Sequence, residues 1–233
     1  MDAERPSVAR LYDYLLGGRH NFASDRELGR RLLMAEPNAR FIVRENRAFL
    51  GRAIRHLLEQ GVRQFLDLGS GIPTQDNVHQ IAQRLAPRSH VVYVDNDPSA
   101  VAHSSMLLSG DQDTGVIMED LRNPEAVLGH PTVRGLIDLS RPVGLLMVTV
   151  LHFVPDSDDP VGVVGRYRDA LSPGSFLVVS HATHEAQPDN AAAVEKLYQS
   201  SARSGAYTRS QEEIARFFAG FDLVEPGLVY LPL

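Results

Sequence analysis

At 233 residues the chain is the size of one sizeable domain, carries a net charge of −6 and contains no cysteine. Disulfides, zinc–thiolate sites, iron–sulfur clusters and cysteine nucleophiles are thereby excluded, and the negative balance argues against sequence-independent nucleic-acid binding. A Schiff-base mechanism has a single lysine to draw on, Lys196, which lies in no recognisable motif. No charged-then-apolar leader and no membrane-length apolar run is present, so a cytoplasmic protein without a membrane partner is expected.

Residues 1–61 read as a helical extension. Val8, Leu11, Tyr12, Leu15 and Leu16 recur at helical spacing until Gly17-Gly18 breaks the pattern. After the polar loop Arg19–Ala23, Ser24 or Asp25 can cap a second helix through Leu28, Leu32 and Leu33. A longer helix is predicted from Asn38 to Gln60, ended by Gly61. Its Arg44-Glu45-Asn46-Arg47 cluster reads as a solvated face. The loop around Gly17-Gly18 reads as a lid bringing Tyr14, His20 and Asn21 to a ligand, against the alternative of a helical hairpin packed on the sheet with Tyr14 in its core.

Residues 62–233 read as an α/β, Rossmann-like, doubly wound and mostly parallel sheet with helices on both faces. Strands are predicted at Gln64–Leu68, His90–Asp95, Gly115–Glu119, Val143–Leu151 and Ser175–Ser180. Helices are predicted between them at Gln75–Leu85, Ser99–Leu108, Pro124–Leu128 and Val161–Leu171. Continuous runs such as VGLLMVTVL suit strands covered on both faces, and the alternation suits right-handed crossovers. Helices at Asn190–Arg203 and Ser210–Ala219 follow, then a sixth strand within Phe221–Leu231.

Ligands of such sheets sit at the carboxyl ends of the strands. The first strand carries Asp67 into Gly69-Ser70-Gly71, with a helix opening near Thr74, so backbone can approach a nucleotide-like ligand closely. The second ends in Asp95, 24 residues after Gly71, where a carboxylate can accept both ribose hydroxyls. The third ends in Glu119-Asp120-Leu121 and the fourth in Thr149-Val150-Leu151-His152. An NAD-dependent oxidoreductase wants a third glycine, which is missing from the Ile72-Pro73-Thr74 that follow Gly71, and Asp67 would repel a pyrophosphate. S-adenosylmethionine has an ammonium for Asp67, a ribose for Asp95, and an adenine for Asp120 and the Leu121 N–H. The acids favour S-adenosylmethionine, with the oxidoreductase and a non-catalytic S-adenosylmethionine-binding protein as alternatives.

LDLGSG, VYVDNDP, MEDL and VLHFVPD together resemble the class I S-adenosylmethionine-dependent methyltransferases. More narrowly, ARLYDYLLGGRHNFASD, RENRAFL, SGIPTQDNVH and LHFVPDSDDP resemble a bacterial S-adenosyl methyltransferase family of undefined substrates. The resemblance implies that Gly69, Ser70 and Gly71 line the methionine part and that Thr149 lies at its end. It also implies that Asp95 and Asn96 flank ribose and adenine, and that Asp120 and Leu121 hold the base. The family's closing strand hairpin is incomplete here, which implies an absent or truncated last strand and an exposed sheet edge.

The acceptor is expected to be a small molecule methylated on O, N or C. His152 is either a general base or a histidine satisfying a loop carbonyl. His181 is a further substrate-side candidate. No metal is expected, because nothing fixes the geometry of His152, His181, His184 and Glu185 as ligands. The DSDDP run reads as a cap for the following helix. The arginines of the extension admit an anionic acceptor, with ordinary surface arginines as the alternative, and oligomeric state is left open.

Overall fold

The computed structural model describes residues 4–73, 77–202 and 204–231. Three helices come first: α1 (Val8–Leu16), α2 (Ala23–Ala35) and α3 (Ala39–Glu59). Ser7 caps α1 through its side chain, and Gly17 ends it in the left-handed region at φ 87°. Asp25 caps α2 from inside the first turn, accepting the Phe22 N–H at 2.7 Å, so the helix opens at Ala23 rather than after Ser24 or Asp25.

The remaining elements alternate as strand patterning predicts: β1 (Gln64–Leu68), α4 (Val78–Leu85), β2 (His90–Asp95), α5 (Pro98–Leu107), β3 (Thr114–Met118), α6 (Pro124–Gly129), α7 (Pro131–Leu136), β4 (Gly144–Val148), α8 (Pro160–Ala170), β5 (Phe176–Ser180), α9 (Pro188–Ser201) and α10 (Gln211–Ala215). The five strands form an all-parallel sheet in the order β3-β2-β1-β4-β5, which places the switch point between β1 and β4. Side chains alternate across it. Leu66, Leu68, Val92, Leu145 and Met147 pack with α6, α7, α8 and the chain after α10, while Phe65, Val91, Leu146 and Val178 pack with α3 and α4. Among the described residues no helix is long and apolar enough to cross a membrane.

Several boundaries differ from those predicted. The α4 helix starts at Val78, where Asn77 and Gln80 form a reciprocal cap; the predicted start at Thr74 or Gln75 lies outside the described residues. The β4 strand ends at Val148, because Thr149 turns to φ 59° and residues 151–153 form a 3₁₀ turn. The α7 helix is unforeseen; Pro131 opens it and the His130 ring accepts the Thr132 N–H. The predicted helix over 210–219 closes as a 3₁₀ turn at Arg216–Phe218, and α9 ends at Ser201, the predicted end at Arg203 falling outside the described residues. Residues 221–231 form no strand, leaving β5 as an edge. Pro226 can donate no ladder hydrogen bond there.

The division at 61/62 does not separate two cores. One face of α3 serves both: Ala39 and Val43 pack with Leu11, Leu28 and Leu197, whereas Leu50, Ile54 and Leu57 lie under the sheet. A buried polar cluster also ties the first two helices to the start of α5. Arg10 pairs with Asp25 at 2.7 Å and donates to Ser99, and the Ser7 hydroxyl donates to Asp97. The extension is therefore docked beside the strand ends by paired charges, whose separation would strand a buried ion.

Candidate active site

The turn after β1 is built for close approach. Gly69 and Gly71 take φ 76° and 66°, and a Cβ on Gly69 would lie 2.2 Å from Val150 Cγ2. Asp95 holds this turn in place. Its Oδ2 accepts the Gly71 N–H at 2.7 Å and its Oδ1 accepts the Asp97 N–H at 2.8 Å. Burial pushes the Asp95 carboxyl up to about 6 despite both donors.

Asp67, at the carboxyl end of β1, is 7% exposed and has no hydrogen-bond donor among the described residues. Burial raises its carboxyl to about 7, with Arg47 opposing the shift and Asp95 adding to it. It lines the crevice.

At the ends of β2 and β3, exposed Asn96 donates to Asp120 Oδ2 at 3.4 Å. Asp120 is also gripped by Arg122, whose Nε reaches Oδ1 at 3.0 Å and whose Nη2 reaches Oδ2 at 2.5 Å. Those bonds hold the Asp120 carboxyl below its ordinary range. The second arm of Arg122 reaches Asp158 at 2.6 Å. The Leu121 N–H has no acceptor among the described residues, while its carbonyl accepts from Tyr167 at 3.0 Å.

Thr149 sits in a chain of polar groups that crosses from sheet to extension. Its N–H donates to Ser180 Oγ at 3.0 Å, Ser180 Oγ donates to Asn46 Oδ1 at 2.5 Å, and Asn46 Nδ2 donates to Tyr12 at 2.9 Å. The Tyr12 hydroxyl in turn donates to the Val43 carbonyl at 3.2 Å. Tyr12, Asn46 and Arg47 all line the crevice.

After β4, His152 is 7% exposed, and its Nδ1 is enclosed without a partner among the described residues. Burial, with His181 and Arg209 nearby, holds its pKa well below the ordinary histidine value, so the ring is neutral at neutral pH. His181 donates from Nδ1 to the Ala182 carbonyl at 2.7 Å and accepts from Arg209 on Nε2 at 2.9 Å. Both nitrogens are thus occupied, and burial pulls its pKa to about 4. His181, a candidate substrate-side residue, lines the crevice with its ring held between Ala182 and Arg209. The DSDDP aspartates divide: Asp156 pairs with Arg209 at 2.6 Å, Asp158 pairs with Arg122, and only Asp159 caps α8, through the Gly162 N–H at 3.0 Å. Among the described residues no group of metal-ligating side chains is assembled.

Three expected residues lie elsewhere. Tyr14 packs against the Gly29 backbone with Arg40 over its ring, on the side of α1 away from the crevice that Tyr12 faces. The His20 N–H and the Asn21 side chain are both held by Asp13 Oδ2 at 2.8 Å, and the His20 ring lies against His103 of α5. The Gly17-Gly18 loop therefore braces the outside of the extension rather than covering the crevice.

Asp67, Gly69, Ser70, Gly71, Asp95, Asn96, Asp120, Leu121, Thr149 and His152 all line one crevice of ≈ 1770 Å³. Part of the volume is a groove along β5 and residues 220–231, away from the strand ends.

Sheet order, glycine turn and strand-end acids define a Rossmann-like methyltransferase. The family profile described as S-adenosyl methyltransferase matches residues 1–232, and the chain belongs to that family. A proposed methyltransferase of Thermobifida fusca YX is 43% identical with a TM-score of 0.93, covering 98% of this chain and 85% of its own. A DUF574 family protein of Streptomyces avermitilis MA-4680 is 41% identical with a TM-score of 0.94, covering 98% of this chain and 88% of its own. The plantazolicin methyltransferase BpumL, solved with SAH, shares the fold at 13% identity and a TM-score of 0.53, covering 91% of this chain and 73% of its own. A search of curated proteins gave no match. The protein is an S-adenosylmethionine-dependent methyltransferase, and the oxidoreductase alternative is set aside.

The sequence reading missed Tyr12, Asn46, Arg47, Arg122 and Arg209. Signals existed for two. Tyr12 shares the apolar stripe of α1, and Asn46 falls on the buried stripe Ala39, Val43, Leu50, Ile54, where a polar residue needs a partner. Arg209 lies in a loop with no periodicity to mark it.

Proposed function

We propose that the crevice binds S-adenosylmethionine across the β1–β4 switch point and that the protein methylates a small-molecule acceptor in the cytoplasm, which its cysteine-free sequence suits. The observation that carries this reading is Asp67: a buried carboxylate with no hydrogen-bond donor among the described residues, beside a glycine turn that leaves room for a ligand. That site fits an ammonium and opposes a phosphate. In this reading Asp67 holds the amino group and Asp95 the ribose hydroxyls, with its second lone pairs, while its first keep the turn closed. Asn96 flanks the ribose, and Asp120 and the Leu121 N–H receive the adenine edge, Asp120 being oriented by Arg122. Gly69, Ser70 and Gly71 line the methionine portion, and Thr149 borders its end.

When bound, S-adenosylmethionine supplies an electrophilic methyl group. The chain's task is to align a nucleophile with it and keep water out, and positioning alone can lower the barrier by about 7–11 kcal/mol. Thr149, fixed through Ser180 and Asn46, sets the border between the two ligands. His152, neutral and lining the crevice, takes the acceptor's proton. Calorimetric titration with S-adenosylmethionine, S-adenosylhomocysteine and NAD tests the reading. Binding of the first two and their loss in Asp67→Ala are expected; binding of NAD alone would overturn it.

A further inference from the structure

The hydrogen bonds joining Tyr12, Asn46, Thr149 and Ser180 have a direction, and that direction fixes what this part of the wall shows a ligand. A hydroxyl has one proton and two lone pairs. Ser180 donates its proton to Asn46 Oδ1 at 2.5 Å, so in its 3.2 Å contact with the Thr149 hydroxyl it can only accept. The Thr149 proton therefore points at Ser180. Tyr12 keeps its proton at neutral pH, because burial pushes the phenol up, and donates it to the Val43 carbonyl at 3.2 Å.

All three hydroxyl protons are thus committed inside the network. After these bonds both lone pairs of Thr149 Oγ1 remain, as does one lone pair of the Tyr12 oxygen, whose other accepts from Asn46 Nδ2 at 2.9 Å. Both residues are half-buried and line the crevice, and the Thr149 side chain acts on the Tyr12 phenol as a hydrogen-bonding neighbour. The turn of Thr149 to φ 59° sets its side chain at the end of β4, beside the glycine turn after β1. Oxygens that show only lone pairs repel an anion or another lone pair and attract a cation, and bonds to an ionised partner are roughly twice as strong as neutral ones.

We propose that Thr149 Oγ1 and the Tyr12 oxygen form a seat for the positively charged sulfur end of S-adenosylmethionine, and that this seat makes the chain prefer the charged donor to neutral S-adenosylhomocysteine. The inference rests on the methyl-transfer reading above and adds the residues that tell donor from product. Asp67 meets the same ammonium on both molecules and Asp95 the same ribose, so neither separates them. The sulfur of S-adenosylhomocysteine is uncharged, and the seat holds it less tightly. Spent product therefore exchanges for fresh donor. Asn46 is the positioning residue of the seat, since it receives the Ser180 proton and so turns the Thr149 proton away from the ligand.

The test titrates the full chain by calorimetry, at one pH and one salt concentration, with S-adenosylhomocysteine, S-adenosylmethionine and sinefungin, in which a carbon bearing an ammonium replaces the methylated sulfur. The wild-type chain should bind both charged ligands roughly tenfold or more tightly than S-adenosylhomocysteine. Thr149→Val keeps the branched shape and removes the oxygen. It should cut that preference about 3–10-fold, and Tyr12→Phe should cut it about threefold, with S-adenosylhomocysteine affinity held within about twofold in each. Thr149→Ser keeps the oxygen and should retain the preference. Equal affinity for the three ligands in the wild-type chain, or a preference undiminished in both Thr149→Val and Tyr12→Phe, overturns the seat alone. Failure of all three ligands to bind the wild-type chain brings down the reading beneath it as well.

Discussion

Asn46 and Ser180, 134 residues apart, share a hydrogen bond of 2.5 Å that joins α3 to the carboxyl end of β5. Asn46 spends its other end on Tyr12, and Ser180 receives the N–H of Thr149, whose backbone is held at φ 59°. A residue in that region costs about 1–3 kcal/mol unless its surroundings hold it. Asn46→Ala should therefore lower the unfolding free energy by about 1–3 kcal/mol by leaving part-buried hydroxyls unsatisfied. It should also weaken S-adenosylhomocysteine binding, as Thr149 relaxes. Urea denaturation and calorimetry on the same variant check both; full stability would show that the chain of hydrogen bonds is incidental.

Cofactor affinity should depend on pH through Asp67. Its folded pKa of about 7 lies above the ~3.9 of an unfolded aspartate, so the folded protein retains a proton that the unfolded chain has lost. Ionisation of Asp67 thus reduces stability as pH rises through about 4–7, and an arriving ammonium relieves that cost. If only the ionised form binds the ammonium, affinity should fall roughly 50-fold between pH 7 and 5 from Asp67 alone. Asp67→Asn should bind more weakly at pH 7 and lose most of this dependence. An affinity flat across that range in the wild-type chain would remove Asp67 from the site.

Gly69→Ala should be damaging out of proportion to one methyl group. The backbone stands at φ 76°, and the new Cβ would lie 2.2 Å from Val150 Cγ2. The strain of about 1–2 kcal/mol and the displaced Val150 should appear together as a lower melting temperature and weakened S-adenosylhomocysteine binding. Ordinary melting and binding by the variant would show that the turn has slack to absorb the group.

His152→Gln separates proton transfer from packing. As a base, His152 should contribute about 10²–10⁴ in rate once an acceptor is in hand, with cofactor affinity unchanged. Steady-state methylation with a radiolabelled donor reads this directly. A loss below about threefold would assign His152 to the packing of the turn at residues 151–153.

The sequence by itself determined the sheet and most of its glycine turn. Five apolar runs at near-strand length, separated by amphipathic stretches, admit few arrangements, because parallel strands buried on both faces must alternate with crossover helices. For the same reason the strand-end residues Asp67, Asp95, Asp120 and Thr149 could be read as neighbours before any coordinates, since the topology brings carboxyl ends together. Which way side chains turn outside that repeat was decided only by the fold. Tyr12 faces the crevice, whereas Tyr14 packs on Gly29 of α2 with Arg40 over its ring. Asn46 is buried only because α3 spans both cores, and Arg209 reaches four groups in residues 151–156 and 181 from a loop that carries no local pattern. These bonds close between segments distant in sequence, and neither propensity nor spacing encodes a partner that only packing supplies.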